Sequence, residues 1–220
     1  MTWLWDRVRW LVTDGRARMV LFTQLSLPVS ALTGVWKLVL AVPYQSLLLA
    51  ITGIYAIALS VIRSIALRTY LRDEARNRRT IGVSVIVLSL AFAITCIPMV
   101  VGTESWSKRY SEVVGIAIAT ITFTEIGLAV NGAVRNRHHP APMVAALQLS
   151  NLAGALIALP VTQAAILSFT DPGDPSQAAG ITGIICGVAA AGLGLLILRR
   201  RDPAQQGTPQ GDVHQGNVST

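Results

Sequence analysis

Residues 63–79 read RSIALRTYLRDEARNRR, and the reading of this stretch decides the fold. It holds Arg63, Arg68, Arg72, Arg76, Arg78 and Arg79. Before it stands the apolar run LLLAITGIYAIALSVI (47–62), and after it TIGVSVIVLSLAFAITCIPMVV (80–101). A hydrocarbon core of about 30 Å takes about 20 mostly apolar helical residues to cross, and connections rich in Lys and Arg stay on the cytoplasmic side. A basic stretch between two such runs reads as an inside loop joining two transmembrane helices.

The rest of the chain repeats the pattern outward. Of the 18 basic residues, all but Lys37, Lys108 and Arg109 fall into four clusters: Arg7, Arg9, Arg16 and Arg18; the 63–79 loop; Arg135 and Arg137; and Arg199, Arg200 and Arg201. Spans are expected at roughly 45–66, 80–101, 112–134, 143–168 and 178–198. A further stretch, 19–42, is less apolar, with Gln24, Ser26, Pro28, Ser30, Thr33 and Lys37. Charge parity argues that it also crosses, since otherwise the four N-terminal arginines face the wrong side. The expected fold is an all-α polytopic membrane bundle of six transmembrane helices with both termini cytoplasmic. Its outer turns fall at Pro43-Tyr44, Gly102 to Ser111, and 171–176.

Composition agrees. The chain is 52% hydrophobic and 13% charged, with mean hydropathy +0.55, against about 25% charged residues in soluble domains. A net charge of +7 and a pI near 10.2 could signal nucleic acid, but the basic residues sit at the ends of apolar runs. The expected partners are therefore anionic lipid headgroups and no nucleic acid, and a homo- or hetero-oligomer is compatible with the sequence. Cys96 and Cys186 lie inside apolar runs and read as core residues, not as a disulfide framework or metal cluster. The organisation divides into 1–18, an interfacial amphipathic segment in which Trp3 and Trp10 accompany Arg7 and Arg9; 19–200, the six-helix domain; and 201–220, a polar tail expected to be disordered. The N-terminal segment does not read as a cleaved signal. Sixteen Arg against two Lys, with abundant Ala, Gly and Val, suggests a bacterial cytoplasmic membrane.

Glu125, in IATITFTEIGLAV, is the most unusual residue. It falls near the middle of the fourth span, where a charge costs several kcal/mol or more unless paired, hydrated or protonated. It is either a proton- or cation-binding carboxyl, with Thr122 on its helical face and Thr120 and Thr124 beside it, or a packing glutamate. Lys37 is the only lysine within a span; snorkelling to the outer headgroups is its expected state, and pairing with Glu125 would need tilt and close approach of two helices. Gln148 and Asn151 share a face of the fifth span and either hydrogen-bond across helices or line a pathway with Glu125. Gln163 lies further along it. Pro28 and Pro160 can kink their spans. Gly183, Gly187 and Ala191 form a small-residue ridge suited to close packing. His138 and His139 read as loop residues, His214 as solvated, and no cofactor motif is seen.

The stretch SALTGVWKLVLAVPYQSLLLAITGIYAIALS (30–60) resembles the first helical hairpin of the cation diffusion facilitators. Lys37, Ala41 and Ser46 keep that family's spacing. The resemblance implies six spans with both ends inside and a cation-export scaffold. Thr52, Tyr55 and Leu59 stand where the family carries its Asp, His and Asp ligands, so it implies a member without the metal-ligand set.

Two function classes follow. One is a small secondary transporter for a proton or cation, degenerate relative to cation-efflux proteins, with Glu125, Thr122, Gln148, Asn151 and Lys37 along its path. The other is a non-transporting accessory subunit that docks a partner or anionic lipid through small-residue faces and the basic loop. An enzyme is not expected: no paired Asp, Ser-His or Ser-Lys set or zinc motif lies within the spans.

Overall fold

The computed structural model describes residues 15–68, 74–102, 110–135, 142–170 and 176–199. Within them six helices follow in order and no strand occurs: α1 (Gly15–Tyr44), α2 (Leu47–Arg68), α3 (Glu74–Val101), α4 (Glu112–Arg135), α5 (Pro142–Thr170) and α6 (Ser176–Arg199). Most of the N-terminal amphipathic segment, the 201–220 tail, most of the two longer outer turns, and His138, His139 and His214 lie outside the described residues. Five helices, α2 to α6, are long and apolar enough to cross a membrane, and in α1 the stretch Pro28–Tyr44 is apolar as well. Large apolar side chains lie exposed on their outer faces, among them Val87, Ile94, Leu128, Ile185 and Leu196. Water would penalise such a surface and lipid would not; the molecule suits an integral membrane protein.

α5 is central, packing against α2, α3, α4 and α6. Its small and branched residues Ala153, Ile157, Val161, Ala164 and Ala165 fill the core. The most extensive pairing joins α3 and α6, and the sequence explains how closely they approach. A Cβ added at Gly187 would meet Ala93 Cβ at 2.8 Å and the Ser89 carbonyl at 3.0 Å, and one added at Gly183 would strike Cys96 Sγ. The expected small-residue ridge thus exists, is extended by Gly180 and Gly194, and is filled by α3 of the same chain. Both cysteines are buried and free, as their apolar surroundings predict. α1 packs on α2 through Gly34 and Gly53, where an added Cβ at Gly53 would lie 2.8 Å from the Gly34 carbonyl.

A tight turn joins α1 to α2. The Ser46 amide bonds the Ala41 carbonyl at 3.1 Å and the Gln45 amide the Val42 carbonyl at 3.2 Å, which is the Schellman pattern with Gln45 in the left-handed position at φ 45°. Ser46 then opens α2: its Oγ accepts from the Leu49 amide at 3.4 Å, the N-cap geometry. The same hydroxyl meets Tyr110 Oη at 2.7 Å. Tyr44 and Ser111 approach at 3.3 Å, and the rings of Tyr44 and Tyr110 pack with centroids 5.3 Å apart. The C-terminus of α1 is thereby stitched to the N-terminus of α4, and the two helices run antiparallel.

Candidate functional site

The residues that the sequence placed on one path divide between two polar groups. The first is an ion pair. Lys37 Nζ donates to Glu125 Oε2 at 3.2 Å, with side chains 6% and 22% exposed. Snorkelling of Lys37 to the outer headgroups is therefore not its state here, and the reason lies in helix geometry. From the stitched ends, Lys37 stands seven residues down α1, about 10 Å, and Glu125 fourteen residues along α4, about 21 Å. A helical side chain leans towards the N-terminus of its own helix. In antiparallel neighbours, Lys37 leans down towards Glu125 while Glu125 leans up towards Lys37, so the offset closes. Among the described residues α1 and α4 share little backbone contact; the ion pair bridges them through side chains.

Thr122 stands one turn from Glu125 on α4, fully buried. Its Oγ1 meets no hydrogen-bond partner, whereas the flanking hydroxyls of Thr120 and Thr124 donate to the carbonyls of Ile116 and Thr120 at 2.8 Å. Those two are exposed, so the sequence was right to separate Thr122 from its neighbours by face. A buried hydroxyl left unmet one turn from the partly buried Glu125 is an available donor or acceptor.

The second group centres on Arg63, which the sequence reading assigned to the cytoplasmic loop. That assignment is corrected: α2 continues to Arg68, and Arg63 is 3% exposed within it. Its Nη1 donates to Asn151 Oδ1 and its Nη2 to the Ser150 carbonyl, both on α5. Asn151 thus makes a cross-helix bond, as the packing reading expected, and belongs with Arg63 and not with Glu125. Gln148, one turn before Asn151, is half-buried, as is Gln163. Two further buried contacts were not foreseen: Tyr55 Oη to Ser89 Oγ at 3.1 Å, joining α2 to α3, and Ser46 to Tyr110. The sequence signal for Arg63 was present in the apolar SIAL that follows it and in its helical face, shared with Tyr55, Leu59 and Ala66, all buried.

The positions matching the cation-efflux ligands serve other ends. Thr52 donates to the carbonyls of Leu48 and Leu49, Tyr55 meets Ser89, and Leu59 packs in the core. Among the described residues no three His, Cys, Asp or Glu side chains are grouped closely enough to hold a metal ion. A scan against protein-family models gave no match, and neither did a search of curated proteins.

Proposed function

We propose that this chain is a small secondary transporter whose coupling element is the Lys37–Glu125 pair. The observation that carries the reading is the position of that pair: Lys37 buried and Glu125 partly so, bridging two peripheral helices one turn from the unmet Thr122 hydroxyl. An ionised pair in a low-dielectric interior holds together because either partner alone costs several kcal/mol. A proton on Glu125, or a cation drawn to its carboxylate and the Thr122 oxygen, removes Lys37's counter-charge. Lys37 must then lose its own proton or withdraw, and α1 is released from α4. A carboxylate whose charge state sets the spacing of two helices is the element that alternating access requires. The likeness to cation diffusion facilitators enters only as scaffold, and the coupling ion is assigned to Glu125. In this reading α1 is the sixth span, both termini are cytoplasmic, anionic headgroups meet the basic clusters, and the membrane is the bacterial cytoplasmic one.

The test is flux in reconstituted proteoliposomes, for protons and a panel of mono- and divalent cations, with wild type beside Glu125→Gln. Flux in wild type that disappears in the variant is expected. Flux at the empty-liposome level for both folded proteins overturns the reading.

A second reading, an accessory subunit, has one observation in its favour. Thr120, Thr124, Gly127 and Asn131 line a single exposed face of α4, the small and polar pattern by which membrane helices associate. The α6 ridge cannot serve that purpose, because α3 fills it.

A further inference from the structure

Arg63 carries a positive charge for which the described interior offers no counter-charge. Its partners, Asn151 Oδ1 and the Ser150 carbonyl, are neutral. Of the neighbouring hydroxyls, Ser150 donates to the Leu147 carbonyl at 2.8 Å, Ser60 to Ala56 at 2.8 Å and Ser64 to Ser60 at 2.8 Å, while Tyr55 is engaged with Ser89. The partly buried carboxylate of Glu125 is already taken by Lys37. Burying a guanidinium without an anion is among the largest single costs a fold can carry.

One edge of the guanidinium is open. The Nε–H is buried and meets no acceptor, and it shares an edge of the planar fork with Nη2. Beside that atom lies Gly154, where an added Cβ would sit 3.7 Å from Nη2 and 3.9 Å from Leu59 Cδ1, in ordinary contact. With no side chain on Gly154, that flank of the guanidinium is covered only by backbone and Leu59. The fork of an arginine is built to receive an anion there.

We propose that Arg63, with Gly154 and Asn151, binds a small monovalent anion, a halide or a small carboxylate, between α2 and α5. The site is separate from the Lys37–Glu125 pair, and its test reads binding, not transport, so either proposal can fail alone. The full chain, purified in detergent, is melted in chloride, formate or gluconate at one ionic strength, gluconate being too large for an interior site between two packed helices. Chloride, formate or both should raise the wild-type melting temperature saturably over gluconate, by about 3–6 °C where the anion is about tenfold above its Kd. The responding anion identifies the ligand class. Arg63→Gln should lose that response. Because Arg63→Gln could fail to fold, Asn151→Asp carries the test independently: it places a carboxylate on the guanidinium, so it should melt above wild type in gluconate and no longer respond to chloride or formate. Identical wild-type melting in all three salts, or an Asn151→Asp protein with an undiminished anion response, overturns the proposal.

Discussion

Lys37 and Glu125 are each an anomaly in an apolar helix, and together they are one feature. At 3.2 Å, with the lysine almost fully covered, their attraction acts in a medium that screens it poorly. Removing one partner strands the other, which costs about 3–5 kcal/mol, whereas removing both leaves an apolar contact and can be near neutral. Lys37→Met and Glu125→Met should therefore each destabilise the protein by about that amount, and the double variant should recover most of the loss. Denaturation of the four proteins in one detergent measures the cycle; losses that simply add would show that the two side chains do not depend on each other. Both residues stood out in the sequence as charges at hydrocarbon depth. Their pairing was legible only through the direction in which helical side chains lean, and weighing headgroup distance alone pointed Lys37 the wrong way. Arg63 was misplaced for a different reason: a basic residue directly after a run of apolar ones looks like a loop boundary, although the apolar SIAL that follows it and its face shared with Tyr55, Leu59 and Ala66 point to a helix interior.

At the scale of elements, small residues set which helices meet. Gly183, Gly187 and Ala191 were visible as a ridge because helical neighbours recur at four residues, but nothing in α6 names its partner. That is written in α3, where Gly82, Ser89, Ala93 and Cys96 present the matching low surface. Gly187→Ala should destabilise the fold by about 1–3 kcal/mol through overpacking against Ala93 and the Ser89 carbonyl. Gly192→Ala makes the same chemical change on the same helix where an added Cβ meets nothing within 4 Å, and should be neutral or stabilise by up to about 1 kcal/mol through helix propensity. Thermal melts of the two variants in detergent give the comparison, and equal losses would disconnect stability from the α3–α6 seam. The α1–α2 turn offers the converse case. Gln45 adopts φ 45° in a position that glycine fills without strain, so Gln45→Gly should raise stability by about 1 kcal/mol, read as a higher melting temperature.

For the whole molecule, the decisive quantity is how many times the chain crosses. Five helices meet the length and composition of a span by themselves, whereas 19–42 carries Gln24, Ser26, Pro28, Ser30, Thr33 and Lys37, so hydropathy leaves its crossing open and charge parity argues for it. The structure adds a physical link: Tyr44 and Ser46 are bonded to Ser111 and Tyr110 at the start of α4, so the end of α1 shares the side on which α4 begins. Helix α1 runs 30 residues from Gly15, about 45 Å at 1.5 Å per residue, long enough to place Gly15 across the bilayer from Gln45. If α1 crosses, a cysteine at Gln45 or Ser111 should react with a membrane-impermeant maleimide on intact cells, and one at Gly15 or Thr80 only after permeabilisation. Background is expected to be low, because Cys96 and Cys186 are buried. Labelling of Gly15→Cys and Gln45→Cys from the same side would leave α1 lying along the membrane. The four N-terminal arginines would then face outward against the rule that orients the rest of the chain, and a Lys37–Glu125 clasp between two spanning helices would lose its geometry.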